Sequence, residues 1–264
     1  MSRRHFTFDC EGETCFGSLD EAEGRVGLLL VSGGNELRSG AFGGQARLAA
    51  HIAAKGYPVM RYDRRGIGDS SGKNGGFRAA GPDIAAALTH FRQICPSLSR
   101  IVGFGNCDAA SALMLEGGAG CDGVLLANPW TFDEDDEGPA PATIRARYAE
   151  KIRNPREWLR LLSGGVSLRK LLPGLRSAVQ AGGGESTLSG EMRSTIEGFK
   201  GNLGFIIAGR DRTGKAFLES WGKDPRTSVR ASADHAFSDH SDMEWLLDQL
   251  ICALDEQARQ FDMG

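Results

Sequence analysis

A chain of 264 residues and 28.2 kDa, 41% hydrophobic and 25% charged, has the length and composition of one large folded domain. Such a domain buries about three quarters of the surface its unfolded chain exposes. Its 37 glycines and 9 prolines follow no fibrous period, and 31 basic against 34 acidic residues leave a formal charge of −3. These values exclude a disordered polymer, a collagen-like repeat and a global electrostatic footprint for nucleic acid or anionic membrane.

The opening MSRRHFTFDCEG turns polar and acidic before an apolar segment can form, so no secretory signal is expected. Apolar runs such as Val26 to Val31 fall far short of the ~20 residues a membrane-spanning helix needs. The expected location is cytoplasmic. Six cysteines (Cys10, Cys15, Cys95, Cys107, Cys121, Cys252) are scattered without a CxxC pair, which suits neither a disulfide scaffold nor a zinc ribbon. They are expected to be reduced, no metal is expected, and no cofactor is implied.

In chain order, Phe6 to Phe8 and Thr14 to Ser18 alternate around an acidic, glycine-containing turn, which predicts an N-terminal hairpin. Continuous apolar runs follow at 26–32, 58–63, 100–105, 123–128, 204–209 and, more weakly, 227–232, the pattern of strands buried on both faces of a parallel sheet. Helical periodicity covers 44–55, 82–94, 109–116 and 242–259. Alternating strands and helices specify an α/β fold with a mostly parallel sheet. Ser241 with Glu244 three residues on is a capping box that places the start of the last helix near Asp242.

About 75 residues separate the run ending at Asn128 from the one starting at Gly204, too many for a simple crossover. A helical cap insertion is therefore expected over 131–203, between a first part of the core (1–130) and a second (204–264). It opens with the acidic run 133–137 and carries helix-like stretches near 142–162 and 166–180. From Pro139 to Leu203, 11 basic face 5 acidic residues, a net of +6 in a chain of net −3. That excess is read either as solvated helix surface or as attraction for an anionic carrier.

The chemistry concentrates at RIVGFGNCDAAS, where a strand runs straight into Gly105, Asn106, Cys107, Asp108, Ala109 and a helix. This is the context of a nucleophile elbow, a sharp turn that exposes its central residue and requires small residues two positions to either side. Gly105 and Ala109 meet that requirement, while Cys107 stands where the G-x-S-x-G pattern has serine. A cysteine nucleophile needs a base oriented by a third group, and the hydrolase order places an acid and then a histidine downstream. Asp211 follows the 204–209 strand and His235 follows the 227–232 strand. Asp133, Asp234 and Asp239 are alternative acids and His240 an alternative base. His5, His51 and His90 fall on a strand or helices away from strand ends. The backbone N–H groups of Gly34, Asn35 and Asp108 are expected to form an oxyanion hole, with Gly33 and Arg38 as substrate-binding candidates. In RYDRRGIGDSSG, Asp63, Arg65 and Asp69 are expected to stitch loops together. SGK at Ser71 to Lys73 lacks a phosphate-loop frame, and the glycines around Gly103 and Gly105 break the dinucleotide fingerprint.

Through SGGN, RYDRRGIGDSSG, GFGNCDAAS, AGRD and ADHAFS the chain resembles the α/β-hydrolase superfamily over nearly its whole length apart from the cap. More narrowly, GGxxxRxG after the first long strand, YDRRGIGDSSG and G-x-C-D-A-A-S resemble the exosortase A system-associated hydrolase 1 group, found with bacterial exopolysaccharide and PEP-CTERM sorting loci. The resemblance implies an α/β-hydrolase fold and an acyl-enzyme mechanism with Cys107 as nucleophile, His235 as base and then acid, and Asp211 orienting the histidine. Ester or thioester hydrolysis is expected, with the acyl group carried on coenzyme A or acyl carrier protein if the basic cap serves an anionic carrier. The alternatives are acyl transfer through the same acyl-cysteine, or a catalytically weak binding or scaffold role.

Overall fold

In a computed structural model that describes residues 2–132 and 187–262, the apolar runs form one eight-stranded sheet. The strands are β1 (Arg3–Cys10), β2 (Glu13–Asp20), β3 (Val26–Val31), β4 (Val59–Tyr62), β5 (Arg100–Asn106), β6 (Gly123–Ala127), β7 (Asn202–Ala208) and β8 (Thr227–Arg230). Their order is β1-β2-β4-β3-β5-β6-β7-β8. The β1/β2 and β2/β4 pairs are antiparallel and all others parallel. Glu11 (φ 55°) and Gly12 (φ 82°) close the expected hairpin in a two-residue turn, whose positive φ values match the right-handed twist of the strands.

The helices are α1 (Gly44–Ala54), α2 (Gly81–Ile94), α3 (Asp108–Leu115), α4 (Thr187–Ile196), α5 (Arg212–Trp221) and α6 (His240–Asp262). Alternate residues of each central strand feed two separate cores, which is why the strands read as unbroken apolar runs. Leu29, Val31, Ile101, Val124 and Leu126 pack with α2, α3, α4 and α5. Val26, Leu28, Leu30, Val102 and Leu125 pack with α1 and α6. The expected mostly parallel α/β fold is thus observed. No helix among the described residues is long and apolar enough to cross a membrane.

Three sequence expectations need correction or restriction. Helix α5 was not anticipated, because RDRTG reads as loop and only Phe217 and Trp221 mark its buried face strongly. The start of α6 lies two residues earlier than the capping box implied: Asp239 takes the place of Ser241 as the capping side chain, accepting the Ser241 N–H at 3.0 Å, and Glu244 pairs with His240. Most of the expected insertion, including Asp133 and the stretches 142–162 and 166–180, lies outside the described residues. Within its last part, α4 buries Leu188, Met192 and Ile196 in the core shared with α3.

Candidate active site

The parallel strands end together, and their C-terminal loops converge on Cys107. Cys107 adopts φ 62°, ψ −126°, a conformation unfavourable for a residue with a Cβ, between the end of β5 and the first turn of α3. The surroundings hold it there. Its N–H donates to the Ala127 carbonyl at 2.9 Å, prolonging the β5/β6 ladder by one residue. Its carbonyl accepts from Ser111 N at 3.2 Å and Trp130 N at 3.3 Å. A Cβ at Gly105 would stand 2.6 Å from the Ala109 carbonyl carbon, so the close crossing of strand and helix requires glycine there.

The structure brings Cys107, His235 and Asp211 together. His235 Nδ1 lies 3.0 Å from Asp211 Oδ2, and the imidazole and the Cys107 side chain share one cavity wall. The interactions with Asp211 first and Cys107 second outweigh the burial of a ring still 44% exposed and raise the His235 pKa to about 10. Asp211 is also the N-cap of α5, accepting the Gly214 N–H at 2.9 Å. Burial pushes its pKa upward, but hydrogen bonds from His235 and Gly214 prevail and the net shift is downward.

The alternative groups have other tasks. Asp234 accepts from Ser238 and Ala236 and thereby folds the loop carrying His235, while Asp239 caps α6. His240 is exposed. His5 sits on β1, and His51 and His90 lie on α1 and α2.

Two asparagines that sequence reasoning did not single out fix the histidine loop. Fully buried Asn128 accepts the Ala208 N–H at 2.8 Å and donates to Asn106 Oδ1 at 3.0 Å. Asn106 in turn donates to the His235 carbonyl at 3.0 Å. Asn128 sits at φ 43° just past β6, and its place at the end of a buried strand was the available signal.

The loop after β3 is braced rather than free. The Gly34 N–H donates to both carboxylate oxygens of Asp108, at 2.8 and 2.7 Å, so that donor is committed within the protein. The Gly34 carbonyl accepts from buried Arg64 at 2.5 Å. A Cβ at Gly33 would lie 2.2 Å from Asp108 Oδ1, so glycine lets the carboxylate reach its partner.

Arg38, a substrate-binding candidate by sequence, does not line the cavity. Its guanidinium pairs with fully buried Asp63 and reaches Asp69 at 3.2 Å, because a carboxylate sealed from water requires a countercharge. Asp63 and Asp69 thus have the expected stitching role, as does Arg65, which holds Asp83 and Glu11.

Cys107 and His235 open onto a cavity of about 940 Å³. Its walls include Leu48, Phe104, Trp130, Phe237 and Leu246, with Gly33, Asn35 and Asp108 beside Cys107, the expected place of the oxyanion donors. Its size is at the upper end for sites that enclose a drug-sized ligand.

Comparisons with known proteins agree with this architecture. The model of a family described as the alpha/beta hydrolase family matches residues 28–249. An esterase of Pyrococcus furiosus superposes with a TM-score of 0.64 at 15% identity, covering 97% of this chain and 91% of the other. The alpha/beta hydrolase GrgF from Penicillium sp. sh18 gives 0.64 at 16% identity, with 97% and 99% covered. A thioesterase domain from the curacin biosynthetic pathway gives 0.56 at 11%, with 96% and 100% covered. At these identities the likeness is one of fold. No curated protein matches.

Proposed function

We propose that this chain, which belongs to the alpha/beta hydrolase family, cleaves an ester or thioester through a covalent acyl intermediate on Cys107. The observation that carries this reading is one imidazole, His235, paired with a buried carboxylate at 3.0 Å and set beside an elbow cysteine whose side chain favours its charged form. A nucleophile, a base within reach and a group orienting the base are what acyl transfer requires.

The chemistry follows from the electrostatics. With its pKa raised to about 10, His235 is protonated at neutral pH and positioned beside the Cys107 sulfur. The Cys107 thiolate, whose proton His235 carries, attacks the acyl carbon, the bond to the alcohol or thiol leaving group breaks, and the imidazolium proton passes to that group. An acylated Cys107 no longer supports the charged imidazole, so the His235 pKa falls and the ring becomes a base. It then takes a proton from the water that attacks the thioester, releasing the acid and restoring the thiolate and imidazolium pair. Asp211 holds the ring and stabilises its charged form throughout. The Asp108 N–H, at the start of a helix whose first amides have no intrahelical partner, and the Asn35 N–H are the oxyanion donors of this scheme, with the Gly34 peptide as their brace.

The apolar walls of the cavity favour a hydrophobic acyl group over acetate. Coenzyme A or acyl carrier protein as carrier, a cytoplasmic location and membership of the exosortase A system-associated hydrolase 1 group belong to the same reading. The last rests on YDRRGIGDSSG and G-x-C-D-A-A-S.

The test is mass spectrometry of protein quenched during reaction with medium-chain acyl thioesters and matched oxygen esters. A hydroxylamine-labile acyl group on the peptide carrying Cys107, absent in Cys107→Ala and slow to form in His235→Ala, is expected. Adding amine or alcohol acceptors separates hydrolysis from acyl transfer. Neither adduct nor turnover with either class, together with ligand binding unchanged in Cys107→Ala, would establish the binding role instead.

A further inference from the structure

A second cluster of reactive side chains lies at the far edge of the sheet, outside the active-site cavity. Cys10 ends β1 and Cys15 sits in β2, and the hairpin register (Cys10 opposite Glu13, Phe8 opposite Cys15) puts the two cysteines on one face, one diagonal step apart. Sequence spacing paired no cysteines as ligands; the turn at Glu11 and Gly12 does so in space. From the other layer, Asp83 in the first turn of α2 reaches the same point. One ligand atom from each of the three lies within 4.8 Å of the others, and all three residues are buried.

We propose that Cys10, Cys15 and Asp83 form a structural site for one borderline-soft divalent cation, zinc being the best fit, that clips the β1/β2 hairpin to α2. Two thiolates with a carboxylate are a zinc-type donor set, and bond lengths of about 2.0–2.3 Å need only a modest contraction of the present cluster.

Charge balance supports the assignment. Arg65 donates to both Asp83 oxygens, at 3.2 and 3.0 Å through its side chain and at 2.8 Å through its N–H. Two thiolates, the Asp83 carboxylate and a divalent ion leave one negative charge, which the Arg65 guanidinium offsets while it also pairs with exposed Glu11 outside the cluster. An independent observation lies beside the cluster. The Tyr62 hydroxyl, fully buried, has no hydrogen-bond partner among the described residues. Its ring stands edge-on to Phe8, the residue opposite Cys15, and Tyr62 on β4 pairs with Gly17 on β2, two residues along the strand from Cys15. A buried hydroxyl without a protein partner is commonly explained by an ion or an ordered water beside it. A disulfide is the weaker alternative, since diagonal positions on paired strands stand about 7–8 Å apart, beyond the usual Cα span of a disulfide.

Metal uptake by the two thiols releases two protons and leaves oxidation states unchanged. The test is the metal content of the full chain purified without chelator, by native mass spectrometry and elemental analysis, followed by chelation and titration with cobalt(II). One zinc per chain is expected, with a thiolate-to-cobalt charge-transfer band at one equivalent. Cys10→Ser and Cys15→Ser should lose at least nine tenths of both signals, while Cys107→Ala and Cys252→Ser keep them. Should either serine variant fail to fold, the wild-type titration decides alone, with Asp83→Asn expected to weaken cobalt binding at least tenfold. A folded chain that takes up neither ion, or one whose mass is two hydrogens lower from a Cys10–Cys15 disulfide, would overturn the proposal.

Discussion

The two loops that flank Cys107 are built on different principles. On the acid and base side, Asp211 and His235 leave adjacent strand ends and bond directly to each other, supported by the Asn128 and Asn106 amides. On the side of the loop after β3, the backbone of residues 33–40 is held by charges from elsewhere: Asp108 on α3, Arg64 past β4, and Arg61, whose guanidinium reaches the Arg38 carbonyl. Asp63 binds Arg38 from beneath the same loop. One side positions reacting groups and the other positions peptide units. Substitutions on the first should therefore change rate with little loss of fold, and on the second the reverse.

The largest separation is expected for Asp211→Asn. The amide cannot support a charged imidazole, and kcat/KM should fall by about 100-fold or more while unfolding in urea shifts little. A large stability loss with a small rate loss would mean that the N-cap bond to Gly214, and not the bond to His235, is the main task of Asp211.

Arg38→Met probes the opposite side. It leaves Asp63, with 0% of its side chain exposed, without its guanidinium, and removing one partner of such a pair costs about 3 kcal/mol or more. Since Arg38 is 21% exposed, the low end of that range is expected, read from the urea midpoint, with kcat/KM reduced less than tenfold. If instead activity collapsed at unchanged stability, Arg38 would contact substrate after all, as its place in the loop sequence suggested.

That reversal of Arg38 shows where legibility ended. The sheet could be read because each central strand is apolar on both faces, and the elbow because Gly105, Cys107 and Ala109 obey a local steric rule. Asp211 and His235 could be found because chain order and strand ends bring them to one edge. Partnerships between loops carry no such period: nothing in the spacing of Gly34 and Asp108, 74 residues apart, or of Arg38 and Asp63, 25 apart, says that they meet. Asn128 and Asn106 are hidden for the same reason, each a single amide at a strand end. Helix α5 was missed because RDRTG ahead of it reads as loop, although Phe217 and Trp221 recur at helical spacing on its buried face.

Asn128→Ala addresses a smaller effect on the catalytic side. It removes the acceptor for the Ala208 N–H and the donor to Asn106, loosening the loop that carries His235 without touching the reacting atoms. A loss in kcat of about tenfold is expected, with KM nearly unchanged, because the cavity walls that meet the acyl group stay in place. An equal rise in KM would assign the amide pair to the cavity instead of the histidine.

The subtlest difference between the two sides is in protonation. The pKa of His235 is about 10 in the folded chain against about 6.5 when unfolded, so its contribution to stability is fully present below pH 6.5 and is lost as pH rises through 10. Relative to His235→Ala, the wild-type chain should lose thermal stability between pH 7 and pH 10.5. Part of that elevation comes from Cys107, so alkylating the thiol with iodoacetamide should lower the His235 midpoint, followed through its ring resonances by NMR. The bond to Asp211 survives alkylation, and the midpoint should therefore stay above 6.5 in the capped protein and approach that value only when Asp211→Asn is added. A midpoint indifferent to the cap would mean that Asp211 alone sets the charge on the ring, and the switch from acid to base between the two half-reactions would then need another cause.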